Sequence, residues 1–181
     1  MAIDKTAVIG FPVDHSLSPI IHNHWIKELA LDIKPYEKLN VDPNMFKEQI
    51  NNLKAEGFGG INVTVPLKEL AFNISDETSN VSKKLRSANT LTLSSDKINA
   101  DNTDAVGFIN SLEKKTIEEN ITNKKTLVLG AGGSARSVVH ALNELGSQVR
   151  LFNRTPEKAA ILLNDFCLLY TSPSPRDWLQ S

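Results

Sequence analysis

The sequence is poor in cysteine and carries almost no net charge. Its 181 residues include a single cysteine, Cys167, which excludes an internal disulfide framework. The formal net charge is −1, so no electrostatic attraction to nucleic acid or acidic membranes is expected. No apolar run approaches a membrane span, and the first residues lack the apolar core of a signal peptide. These absences favour a cytoplasmic protein without a nucleic-acid or membrane partner.

Strand-like and helix-like patterns alternate along the chain, which is typical of an α/β fold. Helices are predicted to begin at Ser18-Pro19 and Asp42-Pro43, where each pair supplies a cap and a first-turn proline. The first of these helices carries Ile21, Trp25 and Leu29 on one stripe. Strands or hairpins are predicted at Ala7–Gly10, Tyr36–Val41, Ile61–Val65, residues 91–98, Thr126–Leu129 and Val149–Phe152.

A glycine-rich turn, Gly130-Ala131-Gly132-Gly133-Ser134-Ala135-Arg136, lies between an apolar strand and a helical pattern. This context is the one that a dinucleotide fingerprint requires, because Gly130 permits a tight turn and Gly132 lets the backbone approach a pyrophosphate. Small Ala135 allows close helix–strand packing, and the amides at the helix start attract an anion. A glycine-rich turn between a strand and a helix can also be only a tight turn, and other nucleotides use similar ones.

The second strand of this half ends in Asn153-Arg154-Thr155. NAD-binding proteins usually place an acidic residue there to hold the ribose 2′-hydroxyl, whereas a cation suits a 2′-phosphate. The turn and this strand end together predict NADP as the cofactor. A loop arginine can also be simply solvated.

The first half holds a second group of polar residues at predicted strand ends. Ser16 and Ser18 follow the first strand, and Asn62 and Thr64 alternate along the end of the third, followed by Lys68. In a parallel sheet such residues meet at the carboxyl edge, where α/β proteins bind ligands. Hydroxyls, amides and a lysine suit a small polyhydroxylated acid. Each residue also has a structural explanation: Ser18 as a helix cap, Asn62 and Thr64 as ordinary strand ends, and Lys68 as a solvated lysine.

Further along, Asn89 and Asp104 add an amide and a carboxylate, and a lysine near an aspartate can exchange protons with a carbinol. Asp104 can equally be a residue that favours a helix N-terminus. His22 and His24 lie two positions apart on a helix, so no metal site is expected.

The ordered motifs resemble those of the shikimate dehydrogenase family over roughly residues 5–166: His-Ser-x-Ser-Pro, Asn-Val-Thr-Val-Pro-x-Lys, Ala-Asn-Thr, Asp-Asn-Thr-Asp, Gly-Ala-Gly-Gly and Asn-Arg-Thr. The resemblance implies a catalytic pair, Lys68 and Asp104. It also implies a shikimate pocket lined by Ser16, Ser18, Asn62, Thr64, Lys68, Asn89 and Asp104. By the same resemblance, residues 130–136 hold the pyrophosphate of NADP, and Asn153, Arg154 and Thr155 hold its 2′-phosphate. The implied reaction is reversible NADPH-dependent reduction of 3-dehydroshikimate to shikimate, in aromatic amino-acid biosynthesis.

The resemblance implies an N-terminal α/β substrate-binding domain (residues 1–103), a connector (104–123) and an incomplete Rossmann-type NADP-binding domain (124–166). Residues 167–181 do not fit the family and are interpreted as a foreign or disordered tail. Because family elements beyond residue 166 are missing, we expect this chain to be a poor catalyst. Ala100 and Ala105 replace glycines of the family, which should be tolerated unless the backbone there requires positive φ.

Two alternatives remain open at this point. A quinate or dual quinate/shikimate dehydrogenase is the nearest, although Ser16 and Arg154 favour shikimate and NADP. The other is a non-catalytic fragment that binds shikimate without redox chemistry. The resemblance leaves a homodimer open.

Overall fold

The computed structural model describes residues 4–166. The chain divides into two compact units, Met1–Thr103 and Asp104–Ser181. The interpretation of residues 167–181 as a foreign or disordered tail lies outside the described residues.

The first unit is a six-stranded sheet with helices. Its strands are β1 (Lys5–Gly10), β2 (Glu37–Asn40), β3 (Phe58–Val63), β4 (Glu77–Thr78), β5 (Thr90–Leu93) and β6 (Ile98–Asp101). Its helices are α1 (Ser18–Glu28), α2 (Phe46–Ala55), α3 (Lys68–Ile74) and α4 (Asn80–Leu85), with a 3₁₀ turn at Pro43–Met45. The strands are ordered β2-β1-β3-β5-β6-β4.

The sheet is mixed rather than parallel throughout. β1 runs parallel to β2 and β3, whereas β5 runs antiparallel to both β3 and β6. In this register Thr90 lies opposite Asn62 and Asp101. The carboxyl ends of β1, β3 and β6 therefore meet the start of β5 at one edge of the sheet.

The core of this unit lies between the sheet and α2. Ile9, Ile61 and Leu91 are almost fully buried, and α2 contributes Phe46 and Ile50 to the same cluster. Asp42 caps the 3₁₀ turn that precedes α2, because its side chain accepts a hydrogen bond from the Asn44 amide at 2.8 Å, whereas α2 itself begins at Phe46 without a side-chain cap. Burial of these apolar side chains supplies the main stabilisation of the unit.

One prediction about α1 was wrong. Ser18 is the first helical residue rather than the cap, since Leu17 takes the cap position and Ser16 Oγ accepts a hydrogen bond from the Ser18 amide at 3.3 Å. The apolar stripe is present but does not join the core: Trp25 is 51% exposed and Leu29 is 66% exposed.

The third strand also differs from its predicted bounds. β3 begins at Phe58 and ends at Val63, so it includes the Gly59-Gly60 pair ahead of the predicted start at Ile61 and excludes Thr64 and Val65. Pairing on both sides, with β1 and β5, compensates for the low strand preference of glycine.

The second unit contains a two-stranded parallel sheet, β7 (Lys125–Leu129) and β8 (Gln148–Phe152). Its helices are α5 (Asp104–Asn110), α6 (Lys114–Thr116), α7 (Ala135–Glu144) and α8 (Pro156–Asp165), with a π-helical turn at Ile117–Ile121. α7 and α8 pack with Val149 and Leu151 in one core. Phe108, Ile117 and Ile121, from the segment predicted as a connector, belong to this core as well.

Among residues 4–166, no helix has the length and apolar character needed to cross a membrane.

Candidate functional site

Backbone hydrogen bonds hold together the strand ends at the polar edge of the first unit. The Thr64 amide donates to Ile9 O at 2.9 Å, and the Val63 amide donates to Asn89 O at 2.8 Å. The Asn89 amide in turn donates to Asp101 O at 3.0 Å. Backbone hydrogen bonds therefore join the strand ends along this edge. Residues at or just after these strand ends have a fixed backbone position.

β2 fixes the loop that carries Ser16 and leads to Ser18, the first residue of α1. Asn40 Oδ1 accepts a hydrogen bond from the Val13 amide at 2.9 Å, and Asn40 Nδ2 donates to Asp14 Oδ1 at 3.2 Å. Lys38 Nζ donates to Asp14 O at 2.5 Å. These contacts hold Val13 and Asp14 in a loop with no regular structure of its own, so the neighbouring strand fixes the segment that leads to Ser16.

Thr64 and Lys68 are joined by a single tight turn. The Leu67 amide donates to Thr64 O at 2.9 Å, and α3 begins at the next residue, Lys68. Lys68 O accepts a hydrogen bond from the Ala88 amide at 2.9 Å, which ties the start of α3 to the segment before β5. Lys68 is only partly exposed, so it differs from the solvated surface lysine of the alternative explanation.

Asn89 and the segment after β6 are connected through side chains. Asn89 Nδ2 donates to Thr103 Oγ1 at 2.9 Å, and the Thr103 amide donates to Asn89 Oδ1 at 3.0 Å. Asn102 is 3% exposed and donates to Ser87 O at 3.0 Å, so it has a structural role. The structure thus brings Ser16, Ser18, Asn62, Thr64, Lys68 and Asn89 to the strand ends of one unit.

Asp104 is the first residue of α5 and belongs to the second unit. Its pairing with Lys68 stays a prediction. Ala100 and Ala105, where the resemblance implies glycines, are buried, and neither has a positive φ. The condition under which their methyl groups would be harmful is therefore not met.

The glycine-rich turn in the second unit has the backbone that its sequence predicted. Gly130 has φ +103°, a conformation that favours glycine, and its amide donates to Phe152 O at 2.7 Å. A Cβ on Gly132 would meet no described atom within 4 Å, so packing inside the protein does not explain this glycine. α7 begins at Ala135, which is 9% exposed and packs in the core. This geometry fits a dinucleotide pyrophosphate above the turn.

The end of β8 supports the turn. The Ala131 amide donates to Asn153 Oδ1 at 3.0 Å, and Asn153 Nδ2 donates to Thr155 O at 2.8 Å. Asn153 therefore positions two loops, whereas Arg154 is exposed to solvent. The Arg136 guanidinium forms an ion pair with Asp165 of α8, so a cofactor phosphate would have to compete for it.

Sequence reasoning missed several supporting residues at these sites. Tyr36 and Thr90 form hydrogen bonds with Asn62, and Asn40 holds the loop before Ser16. Tyr36 and Asn40 belong to no recognised motif, whereas Thr90 ends the Ala-Asn-Thr motif but was not predicted as a site residue. The position of Asn40 directly at the end of a strand was the only signal available.

Between residues 4 and 166, no group of three or more His, Cys, Asp or Glu side chains is arranged to hold a metal ion.

The fold and the two sites define a class: an α/β domain with a polar ligand edge, followed by the first βαβ segment of a dinucleotide-binding domain. Residues 8–91 match the family described as the shikimate dehydrogenase substrate binding domain. In this part of the chain the protein carries the substrate binding domain of the shikimate dehydrogenase family.

Individual relatives agree with this assignment. The chain is 42% identical over 161 residues to a shikimate dehydrogenase (NADP(+)) of Carboxydothermus hydrogenoformans, covering 89% of this chain and 56% of that protein. A crystal structure of the Aquifex aeolicus shikimate dehydrogenase superposes with a TM-score of 0.87 at 38% identity, covering 98% of this chain and 65% of that one. A shikimate 5-dehydrogenase of Thermus thermophilus in complex with NADP(H) and shikimate has a TM-score of 0.82 at 33% identity, covering 94% and 63%. The chain therefore spans about three fifths of the length of its relatives.

Proposed function

We propose that this chain provides the shikimate-binding site and the NADP-binding turn of an NADP-dependent shikimate dehydrogenase. One observation carries the proposal: residues with hydroxyl, amide and ammonium side chains lie at or just after strand ends of the first unit that are joined by backbone hydrogen bonds. The relatives that share this sequence are named for shikimate and NADP(+), and one related structure holds both ligands.

The substrate is a ring with three hydroxyl groups and a carboxylate. Ser16, Ser18 and Thr64 offer hydroxyls, and Asn62 and Asn89 offer amides, so the edge can both donate to and accept from such a molecule. The absence of large apolar side chains among these five residues matches the polarity of the ligand.

Lys68 is the residue proposed to exchange a proton with the reacting oxygen. In the direction of shikimate oxidation, the hydroxyl loses its proton to Lys68 as the carbon–oxygen double bond forms, and reduction returns it. NADP, when bound, accepts or supplies the hydride. Asp104 is proposed to orient Lys68 and to stabilise its charged form.

The glycine-rich turn is proposed to hold the pyrophosphate of NADP, and Arg154 its 2′-phosphate. The positive φ of Gly130, the open space at Gly132 and the exposure of Arg154 support this assignment. Asn153 is assigned to holding the turn rather than to direct phosphate binding, because both ends of its amide are engaged. A cytoplasmic location completes the proposal.

Calorimetry with shikimate and quinate, together with NADPH formation from NADP⁺ or NAD⁺, tests this function on the 181-residue chain. We expect shikimate to bind more tightly than quinate, and any turnover to require NADP⁺. Binding without turnover would favour the non-catalytic fragment, and robust oxidation would contradict the expectation of a poor catalyst. Absence of shikimate binding would refute the proposal.

Lys68→Ala tests the proton-transfer role separately. The variant should keep shikimate binding within about tenfold, because the hydroxyl and amide contacts remain, while any NADP⁺-dependent oxidation falls by about 10²–10⁴-fold. Lys68→Arg, which keeps the charge but cannot lose its proton, should be equally inactive. Undiminished turnover in either variant would remove Lys68 from this role.

A further inference from the structure

A buried tyrosine forms a hydrogen bond with Asn62, one of the proposed shikimate-binding residues. Tyr36 precedes β2 and is 5% exposed. Its phenol oxygen donates a hydrogen bond to Asn62 Oδ1 at 2.7 Å, across 26 positions of sequence. Burial raises the pKa of the Tyr36 phenol, so the hydroxyl keeps its proton and remains a donor at every ordinary pH.

Three contacts hold Tyr36 rigidly in place. Asn23 Oδ1 accepts a hydrogen bond from the Tyr36 amide at 2.7 Å, and Asn23 Nδ2 donates to Tyr36 O at 3.0 Å. The His22 ring stacks on the phenol ring with centroids 4.2 Å apart and planes 7° apart. Backbone and ring are therefore both anchored by α1, and the hydroxyl has a defined position.

The Tyr36 hydroxyl determines which way the Asn62 amide is oriented, because it contacts the amide oxygen and not the nitrogen. A phenol that donates to the oxygen leaves the amide nitrogen, with its two hydrogens, as the end that faces other partners. One hydrogen is directed to Thr90 Oγ1 at 3.4 Å, which is a long contact. Without the tyrosine, rotation of the amide by 180° would exchange a donor for an acceptor at nearly the same position.

The same network reaches the second proposed amide. Thr90 Oγ1 donates to Asn89 Oδ1 at 2.9 Å, and the Thr103 amide donates to that oxygen at 3.0 Å. Asn62 and Asn89 are thus connected through Thr90, and both amide oxygens accept hydrogen bonds from inside the protein. Satisfied networks of this kind hold side chains in one arrangement.

We infer that Tyr36 is a positioning residue, which fixes the Asn62 amide so that its nitrogen is presented to the ligand as a hydrogen-bond donor. The identity of the ligand rests on the proposed function, whereas the orientation of the amide does not. The inference assigns Asn62 to an acceptor group of the ligand, such as a carboxylate or hydroxyl oxygen.

Shikimate calorimetry on the full chain tests this inference with Tyr36→Phe, Asn62→Ala and the double variant. Phenylalanine keeps the ring against His22 and removes only the hydroxyl. We expect Tyr36→Phe to weaken binding about five- to tenfold, the size of one hydrogen bond, and to have no further effect in the Asn62→Ala background. Additive effects in the double variant would overturn the inference, because they would place Tyr36 in a general structural role.

Asn62→Asp gives a second test that does not depend on the folding of Tyr36→Phe. Aspartate keeps an oxygen for the Tyr36 hydroxyl but has no donor, so it should bind shikimate no better than Asn62→Ala. Binding equal to that of the unsubstituted chain would mean that Asn62 presents its oxygen, and would overturn the inference. Asp96→Asn, an exchange of the same two groups in the exposed turn between β5 and β6, should leave binding unchanged.

Nuclear magnetic resonance of the ligand-free chain separates this inference from the proposed function. The Asn62 side-chain amide signals, identified by their loss in Asn62→Asp, should shift and exchange faster with solvent in Tyr36→Phe. If these signals move but shikimate does not bind, the proposed function fails and the positioning role stands. If they do not respond to loss of the hydroxyl, the positioning role fails whether or not shikimate binds.

Discussion

Gly10, the last residue of β1, lies close to two residues that belong to the proposed site or support it. A Cβ at this position would lie 2.6 Å from Thr64 Cγ2 and 3.2 Å from Cβ and Cγ2 of Val13. Thr64 is a proposed ligand residue, and Val13 is a 1% exposed anchor of the loop that carries Ser16. Close approach of three chain segments, rather than a special backbone angle, therefore explains glycine here.

Gly10→Ala should displace Thr64 and the loop after β1 together. Because the nearest atoms belong to short, branched side chains, we expect a loss of about 1–3 kcal/mol in the free energy of unfolding. Shikimate binding should weaken by about tenfold or more, since positioning errors of this size disrupt polar contacts. Chemical denaturation and calorimetry measure the two effects.

Gly107→Ala is the matched control. Gly107 lies within α5, and a Cβ there would meet no described atom within 4 Å. Replacement should stabilise the chain by about 0.5–1 kcal/mol through helix propensity and leave shikimate affinity unchanged. Equal behaviour of the two variants would contradict the steric explanation for Gly10.

His22 gives the first unit a specific pH response. Burial lowers the pKa of His22 below its ordinary 6.5, so the folded protein favours the neutral ring that stacks on Tyr36. This contribution to stability is complete above pH 6.5 and is lost as pH falls through the lowered pKa.

His22→Phe should flatten that response, because phenylalanine stacks on Tyr36 but takes up no proton. Thermal unfolding between about pH 7.5 and pH 5 should show a smaller fall in Tm for this variant than for the unsubstituted chain. His24→Phe, on the exposed part of the same helix, should retain the full fall. A pH dependence that survives His22→Phe would assign it to another group.

At the scale of elements, the sheet of the second unit is covered on one face. α7 and α8 pack with Val128, Val149 and Leu151, which point to the same side. On the opposite side of β7, Leu127 is 60% exposed and Leu129 is 74% exposed. Among the described residues β7 and β8 pair only with each other, so each also has an unpaired edge. Exposed apolar strands with free edges favour association between chains.

Replacing Leu127 and Leu129 together by threonine should reduce that association. Threonine keeps strand preference but removes apolar surface, so light scattering at equal concentration should fall without a loss in Tm. Val128→Thr, in the same strand but facing the core, should instead cost about 1–3 kcal/mol of stability because it buries a hydroxyl. Unchanged scattering in the double variant would show that this face does not drive association.

The sequence predicted elements well where local pattern and tertiary pairing agree, and poorly where they conflict. The strand–turn–helix from Thr126 to Leu145 was confirmed closely, since apolar spacing, glycine chemistry and the helix start all lie within twenty residues of one another. The first three residues of β3, Phe58-Gly59-Gly60, were missed because its partners, β1 and β5, are distant in sequence. The short helices α3 and α4 were missed because neither is long enough to carry a period.

The residues of the candidate site also fall into those that the sequence predicted and those that it did not. Ser16, Asn62, Thr64 and Lys68 could be singled out because they stand in fixed motifs at strand ends. The residues that hold them could not, because hydrogen bonds such as Tyr36 to Asn62 join positions 26 apart with no repeating pattern. The residues that support a site are joined to it by tertiary contacts. No short stretch of a single sequence reveals such contacts.

At the scale of the whole molecule, the two units differ in how fully their strands are paired. In the first unit β1 has neighbours on both sides and so does β3, whereas β7 and β8 in the second each have one among the described residues. Local opening of a strand requires breaking its ladder and exposing its core face. Amides of β1 and β3 should therefore exchange with solvent more slowly than those of β7 and β8.

Shikimate should widen this difference in hydrogen exchange. A ligand that binds only folded protein stabilises it by about 2.7 kcal/mol at a hundredfold excess over its Kd, which slows exchange about a hundredfold where protection depends on unfolding of the binding unit. We expect that slowing in β1, β3 and β5, whose ends carry the proposed ligand residues, and little change in β7 or β8. NADP⁺ is the complementary probe, and its effect should be largest at the amides of residues 130–135. Slowing by shikimate confined to the second unit would contradict the placement of its site on the first.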